Sequence, residues 1–217
     1  MTTTAPPEPE LGDPPRAAPP TAAPTEGLRV SDDFFAALHQ SLEQETADAA
    51  ERILVETGRR WGAAEMQAFI ARAPQLLGAP PESVHIGVLL QTWWWPRTAG
   101  GWGAATFDFR RAAQRLLVVD LRNSAEARAS RERQRPEGSS PRPACHLYSG
   151  YFAGGLGALA KRDLACIELQ CRATGADACQ FLLSTAAHVQ QARQWRDAGE
   201  SAEAIVRKLT EPHEAAQ

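Results

Sequence analysis

This sequence of 217 residues has few cysteines, no long apolar run and no excess of positive charge. No stretch approaches the roughly 18 consecutive apolar residues that indicate a membrane-spanning helix. The net charge of −3 does not favour a nucleic-acid-binding surface, because such surfaces need clustered Lys and Arg. Residues 1–27 lack the apolar segment of a secretory signal peptide. We therefore expect a cytoplasmic protein whose thiols stay reduced.

Common catalytic and nucleotide-binding motifs are also missing. There is no Gly-x-Gly-x-x-Gly after a predicted strand, no P-loop and no His-Glu-x-x-His helix. The glycine-rich stretch 150–157 lies within a predicted helix, where small residues favour close packing against the following hairpin or a ligand. The sequence therefore predicts neither a nicotinamide site nor a protease site.

The four cysteines all lie between residues 145 and 179, and three of them combine with a glutamate into a candidate metal site. Cys145, Glu168, Cys171 and Cys179 offer three thiols and one carboxylate, a donor set suited to tetrahedral zinc. Cys145 begins an apolar, helix-like run, where the helix dipole favours a thiolate. The other three lie in a predicted strand, turn and strand, and a hairpin brings its two arms together.

Other interpretations of these residues remain open. Buried cysteines are common as small core residues, whereas a disulfide is disfavoured in a reducing compartment. In a regular strand Glu168 and Cys171 would point to opposite faces, so a shared metal requires a bulge or strand end near Gln170. Cys166 lies on the same strand face as Glu168 and is the competing ligand.

Three short segments around these residues resemble a known family. They are CHLYSGYFAGG (145–155), IELQC (167–171) and GADACQF (175–181). They are similar to the 4-vinyl reductase domain family, which includes a small protein of bacteriochlorophyll synthesis and the sensory domains of phenol- and toluene-responsive transcriptional activators. A weaker likeness extends from about residue 45 to 185. In the aromatic-sensing members the corresponding Cys, Glu, Cys and Cys bind zinc beside a small-molecule pocket, so the resemblance implies a Zn²⁺ cofactor.

The remaining pattern predicts an α+β fold with three segments. Residues 1–27 hold eight of the sixteen prolines and are predicted to be a disordered, Pro-rich tail. Residues 28–185 form the predicted ligand-binding domain, and residues 186–217 a C-terminal helical extension. Within the domain we predict an antiparallel sheet with packed helices and the zinc-binding hairpin.

Local signals place the predicted elements. Apolar residues at helical spacing predict helices over 31–42, 46–60, 63–73, 124–131, 145–160, 186–198 and 201–209. Ser31, Ser124 and Ser201 are predicted caps, while Pro74 and Gly199 are predicted stops. β-Branched and aromatic residues predict a meander of strands over 83–95, 103–109 and 115–121.

Four of the six tryptophans, Trp93, Trp94, Trp95 and Trp102, lie within ten residues of each other. On a strand, Trp93 and Trp95 would share one face and Trp94 would take the other. The cluster could close a sheet end, form an aromatic wall for a planar ligand, or make a dimer surface. The candidate ligand-binding residues are Trp93, Trp95, Trp102, His146, Tyr148 and Tyr151, with His85 as a further polar group.

Three functions are compatible with these patterns and with the resemblance. The first is a zinc-stabilised protein that binds or delivers a tetrapyrrole, namely a bacteriochlorophyll precursor. The second is a sensory module for a hydrophobic or aromatic ligand, and the third is a structural interaction module, such as a homodimer, whose pocket is filled by side chains. Vinyl reduction would need a reductant, and no motif for one is present. We therefore expect an accessory or binding protein more than a self-sufficient reductase.

Overall fold

A computed structural model describes residues 31–46, 49–132 and 142–211. The helices of these ranges are α1 (Asp32–Thr46), α2 (Ala50–Leu77), α3 (Ile86–Ala99), α4 (Ala125–Glu132), α5 (His146–Ala160), α6 (Ala186–Asp197) and α7 (Ala202–Thr210). The strands are β1 (Ala104–Asp108), β2 (Leu117–Arg122), β3 (Ala165–Gln170) and β4 (Cys179–Ser184). The predicted Pro-rich tail lies outside the described residues.

The four strands form one antiparallel sheet in the order β1-β2-β4-β3. The β3–β4 hairpin therefore joins the β1–β2 pair through β4, whose residue Phe181 lies opposite Val119 of β2. Ser31, Ser124 and Ser201 each accept a hydrogen bond from a backbone N–H of the helix that follows, as predicted. The predicted α+β class, with helices packed on an antiparallel sheet, is confirmed.

The tryptophan-rich segment 83–95 is helical, so the predicted strand and the three-strand meander are wrong. α3 begins after His85, whose Nδ1 accepts a hydrogen bond from Gly87 N at 3.2 Å. Its buried residues recur at helical spacing: Leu89, Leu90, Trp93 and Trp94. β-Propensity largely reflects packing on a half-buried pleated surface, so the burial of this helical face overrides it.

The two helices predicted between residues 46 and 73 form one continuous helix, α2. Gly62 does not interrupt it, because this residue is buried against α5. Pro74 lies inside the helix, which continues to Leu77 and ends at Gly78 in a left-handed conformation (φ 66°). The predicted stop at Pro74 is therefore wrong by three residues.

Four glycines let α2 and α5 pack backbone against backbone. Gly58 and Gly62 lie on α2, and Gly150 and Gly154 lie on α5. A Cβ atom at any of the four would come closer than 3.0 Å to a backbone oxygen of the other helix. The predicted close packing of residues 150–157 is thus correct for these glycines, but their partner is α2 and not the hairpin.

The two faces of the sheet carry separate cores. Val119 and Phe181 belong to the larger core, which also contains buried residues of α1 to α5. Val118 and Leu182, their neighbours along the strands, belong to a smaller core under α6 and α7. This alternation is the two-residue period of strands that are buried on both faces. No helix in the described ranges is both long and apolar enough to cross a membrane.

Candidate metal centre and aromatic core

Cys145 lies immediately before the first residue of α5 and is fully buried. Its backbone is not yet helical (φ −90°, ψ 53°), which agrees with the predicted position at a helix start. Its Sγ lies 3.2 Å from the hydroxyl of Ser124, the residue that precedes α4. The starts of two helices therefore meet at this sulfur.

Glu168 reaches the same place from β3, across an irregularity in the strand. The pairing register between β3 and β4 shifts between Glu168 and Gln170, so the bulge predicted near Gln170 is confirmed. The bulge lets Glu168 and Cys171, three residues apart, point to the same side. Arg196 of α6 donates a hydrogen bond to the carbonyl oxygen of Glu168 at 3.1 Å and holds the strand at this point.

Cys171 and Cys179 come from the two ends of the turn between β3 and β4. Cys171 precedes a single helical turn, Arg172–Thr174, and its Sγ accepts a hydrogen bond from Ala173 N at 3.3 Å. Cys179 is the first residue of β4, and its Sγ accepts one from Arg172 N at 3.4 Å. The turn therefore directs backbone N–H groups at both sulfurs.

The four side chains converge at distances that suit one metal ion. The Sγ atoms of Cys145 and Cys179 are 3.6 Å apart, and each lies 4.0 Å from that of Cys171. One oxygen of Glu168 completes a group whose ligand atoms lie within 4.8 Å of one another. Zn–S bonds of about 2.3 Å in a tetrahedron place the sulfurs about 3.8 Å apart. The residues present therefore fit a tetrahedral ion.

The carboxylate of Glu168 supports this assignment independently. Its Oε2 accepts a hydrogen bond from Cys145 N at 3.0 Å. Its Oε1 is buried and has no hydrogen-bond partner among the residues that the structure describes. A buried, unpaired carboxylate oxygen is costly unless an ion or a proton satisfies it.

Electrostatics add a third argument for a cation. Burial raises the pKa of Cys145 and of Glu168 well above their ordinary values. Hydrogen bonds from the Cys145 and Cys179 thiols instead lower the pKa of Cys171. One thiolate among protonated neighbours is what this buried group holds by itself. Four ionised ligands need a positive ion to offset their mutual repulsion.

Cys166, the competing ligand, lies outside this group. It is partly exposed on β3 and is not among the clustered residues. Burial of its sulfur raises the pKa of Cys166, so its thiol stays protonated at neutral pH. We therefore assign no metal contact to this residue.

Most of the candidate ligand-binding aromatics form one buried cluster between α2, α3 and α5. Trp93, Trp102, Tyr148 and Tyr151 are each 9% exposed or less. The rings of Trp93 and Tyr151 are stacked, with centroids 5.2 Å apart and planes at 10°. Tyr148 donates a hydrogen bond to Trp102 O at 2.9 Å. Trp95 lies apart from this cluster and is 40% exposed.

Two neighbouring tryptophans of α3 differ in how their indole N–H groups are satisfied. Trp94 donates to Gly103 O at 2.9 Å. Trp93 is 1% exposed, and its Nε1 has no hydrogen-bond partner among the described residues. An unpaired buried donor favours an acceptor at that point.

The candidate histidines lie away from both groups. His146 is partly exposed and faces Glu51 at 3.7 Å, while His85 caps α3. Neither contacts the aromatic cluster through a described hydrogen bond. The structure therefore does not bring them together with the aromatic candidates.

A buried polar network beside Tyr151 was not predicted from the sequence. Arg97 forms an ion pair with Glu65 and lies over the rings of Trp93 and Tyr151, with its Cζ 5.8 and 5.3 Å from their centroids. Burial lowers the pKa of Arg97 below its ordinary value. Glu65 also accepts hydrogen bonds from Trp61 and Tyr151, at 3.1 and 3.3 Å. The spacing of Trp61 and Glu65, four residues apart on a helix, was the available signal.

A second buried polar group, Glu126, was also missed. It accepts hydrogen bonds from the backbone N–H groups of Leu147 and Tyr148, at 3.1 and 3.0 Å, and so satisfies the first turn of α5. Its Oε1 also lies 2.8 Å from Nε2 of His39 on α1. Glu126 follows the predicted cap Ser124 by two residues, but its partners are distant in sequence.

With this geometry described, the comparison with known families is decisive for one segment. Residues 125–185 match the 4-vinyl reductase domain family. The matched segment includes all four clustered residues, and it confirms the resemblance predicted from the sequence. No curated protein matches the chain significantly.

Solved structures show a similar fold beyond the matched segment. The phenol-responsive sensory domain of the transcription activator PoxR, solved with phenol, shares 20% identity over 86% of this chain and 84% of its own, with a TM-score of 0.58. A trafficking protein particle complex subunit 3 from Naegleria fowleri, covalently bound to palmitic acid, shares 13% identity over 70% and 93%, with a TM-score of 0.50. A vinyl-4-reductase family protein from Methanocaldococcus jannaschii shares 16% identity over 73% and 83%, with a TM-score of 0.46.

Proposed function

We propose that this protein is a zinc-stabilised module that binds a small aromatic ligand. The observation that carries the zinc assignment is the buried group of three sulfurs at 3.6 to 4.0 Å beside an unpaired oxygen of Glu168. Sulfur-rich, four-ligand tetrahedral sites are typical of zinc. The match to the 4-vinyl reductase domain family and the likeness to a phenol-responsive domain support the ligand class.

The zinc has a structural role in this proposal. All four ligands come from the protein, and a closed site leaves no position for a substrate. The ion ties the start of α5, through Cys145, to the hairpin that carries Glu168, Cys171 and Cys179. Binding energy at such a site stabilises the folded state directly.

Metal analysis of the purified protein tests this assignment. We expect about one zinc per chain in protein purified without chelator. Cys171→Ala and Cys179→Ala should lose the zinc and lower the melting temperature, because each removes one of four ligands. Native mass spectrometry, with thermal unfolding followed by circular dichroism, measures both effects.

Cys166→Ala is the matched control for these variants. It removes a thiol from the same hairpin but from outside the metal group, so its zinc content should equal that of the unaltered protein. Zinc-free unaltered protein would overturn the assignment. A loss of zinc in Cys166→Ala but not in Cys171→Ala would show that the wrong thiol had been chosen.

The aromatic cluster supports the ligand part of the proposal through Trp93. Its N–H is buried, unpaired within the described residues, and next to Tyr151 and Arg97. A small planar ligand with a hydroxyl oxygen would offer the missing acceptor and stack among these rings. Trp93 is therefore the residue that we expect to orient the ligand.

A phenol titration followed by tryptophan fluorescence tests this role. Trp93→Phe retains a ring but removes the N–H, so we expect the Kd for phenol to rise about tenfold. Trp94→Phe is the control, because its N–H already donates to Gly103 O. Its Kd should stay within about twofold of the unaltered value. Equal Kd values for all three proteins would remove Trp93 from the site, and no binding by any would favour an interaction module.

A tetrapyrrole is the second candidate ligand, and Trp95 is the observation in its favour. Its indole is 40% exposed on α3 and offers an open surface on which a macrocycle could stack. The more buried tryptophans contact one another and neighbouring rings, which suits a smaller guest. A porphyrin titration in which Trp95→Ala, and not Trp93→Phe, weakens binding would favour this candidate.

A further inference from the structure

The three sulfurs of the metal group each lie beside a hydrogen-bond donor, but one of these donors differs in kind. The turn 172–173 supplies backbone N–H groups to Cys179 and Cys171, at 3.4 and 3.3 Å. The Sγ of Cys145 instead lies 3.2 Å from the side-chain hydroxyl of Ser124. The environment of Cys145 can therefore be altered by substitution, whereas that of the other two belongs to the backbone.

The direction of the Ser124 hydrogen bond follows from its other partner. Ala127 N donates to Ser124 Oγ at 3.2 Å, the usual arrangement at the cap of a helix. The hydroxyl oxygen is therefore an acceptor toward the helix, and its own hydrogen is available to the sulfur. Ser124 is fully buried, so bulk water does not compete for this hydrogen.

The charge of the metal group makes this donor important. Three thiolates and one carboxylate around a divalent ion leave a net charge of about −2 in a buried site. Such a charge is costly in a low-dielectric interior unless donors surround it. The donors that contact Cys145, Cys171 and Cys179 are neutral, so each of them carries a larger share of the stabilisation.

We propose that Ser124 is a positioning residue of the metal centre, whose hydroxyl donates to the Cys145 thiolate and so strengthens metal binding. This inference rests on the zinc assignment proposed above. Hydrogen bonds from the outer shell orient ligands, and their loss typically weakens metal binding by about 10- to 100-fold.

The same short segment holds the start of α5 from a second side. Glu126, two residues after Ser124, accepts the N–H groups of Leu147 and Tyr148. Ser124 contacts the sulfur of Cys145, the residue that precedes this first turn. The beginning of α4 therefore positions both the helix and its metal ligand.

A zinc competition experiment on the full chain tests the role of Ser124. The unaltered protein, Ser124→Ala and Ser201→Ala are each titrated against a chromophoric chelator. Ser201 caps α7 through Ala204 N at the same 3.2 Å, so Ser201→Ala loses a matched cap far from the metal. We expect zinc affinity to fall at least tenfold in Ser124→Ala and to stay within twofold of the unaltered value in Ser201→Ala.

Two further measurements separate a lost donor from a lost cap. Ser124→Gly removes the hydroxyl but keeps a residue that is well accepted at a cap, and it should show the same fall in affinity. In the Co²⁺-substituted protein, the thiolate-to-metal absorption band should move to longer wavelength in Ser124→Gly and return to its original position in Ser124→Thr. Unchanged affinity and an unchanged band in Ser124→Gly would overturn the role of Ser124. Absence of metal from the unaltered protein would instead overturn the zinc assignment itself.

Discussion

Trp93 Nε1 and Glu168 Oε1 are buried polar atoms without a hydrogen-bond partner among the residues that the structure describes. Leaving such a group unsatisfied costs about 1 to 3 kcal/mol, and more if it is charged. Glu168 lies beside three sulfurs, so a metal ion would satisfy it. Trp93 lies among aromatic rings, so a planar ligand with an oxygen acceptor would satisfy it. The two atoms therefore differ in the kind of partner that they favour.

The two tyrosines of the chain give a prediction on pH dependence. Burial raises the pKa of both, and the carboxylate of Glu126 raises that of Tyr148 further. An unfolded tyrosine loses its proton near pH 10, whereas Tyr148 and Tyr151 in the folded state retain theirs. The unfolding free energy therefore falls above about pH 10, by about 1.4 kcal/mol per pH unit for each tyrosine.

Tyrosinate absorbance and circular dichroism, recorded together during an alkaline titration, measure this effect. We expect the absorbance of both tyrosinates to appear only as the protein unfolds. A tyrosinate signal near pH 10 with an unchanged dichroism spectrum would show that at least one ring is open to solvent.

At the scale of elements, the packing of α2 against α5 decides the arrangement of the helices. Gly150 and Gly154 face the backbone of α2 and leave no room for a side chain. Cys145 precedes the same helix, and Tyr148 and Tyr151 project from it into the aromatic cluster. The position of α5 therefore determines where both the metal ligand and the aromatic cluster lie.

Gly154→Ala tests this interface. The new Cβ would come closer than 3.0 Å to backbone atoms of Arg59, so we expect the unfolding free energy to fall by about 3 kcal/mol. Gly87→Ala is the control, because its Cβ would meet only the ring of His85, at 3.2 Å. It should change stability by less than about 1 kcal/mol, since alanine favours a helix over glycine. Urea unfolding at a fixed zinc concentration measures both, and equal effects would contradict the packing.

The success of the sequence analysis at this scale depended on whether a local signal decided the element. Ser124 and Ser201 were identified as caps because a hydroxyl before a helix acts on backbone within three residues. The bulge near Gln170 was predicted because two ligands had to share one side of a strand. The segment 83–95 failed, because β-branched and aromatic residues describe burial as well as strands, and here the burial is that of a helix.

At the scale of the whole molecule, the sheet is covered on both faces. α6 and α7 cover the face opposite the metal group, and their buried residues Val189 and Ile205 contact strand residues such as Leu182. The division into a domain (28–185) and a C-terminal extension (186–217) stays a prediction. A homodimer also stays a prediction, and size-exclusion chromatography with light scattering measures it.

Ile205→Ala tests whether the extension folds together with the domain. Ile205 is fully buried in the second core, so we expect its loss to lower the unfolding free energy by about 2 to 5 kcal/mol. Glu203→Ala, at an exposed position of the same helix, should change it by no more than about 0.5 kcal/mol. Five of the six tryptophans lie before residue 186, so their fluorescence reports on the domain. An unchanged fluorescence midpoint in Ile205→Ala would show that the extension unfolds separately.

The sequence by itself determined the metal ligands, the helix starts and the hairpin, because each is specified by residue type and by spacing within a few residues. Cys145, Glu168, Cys171 and Cys179 were identified in this way, and the structure brings them together. Tertiary structure alone decided the helical state of the tryptophan segment, the backbone contact between α2 and α5, and the burial of Glu126 and Arg97. The physical reason is that these features depend on which distant surfaces exclude water from each other, and local patterns in a single chain do not encode that pairing.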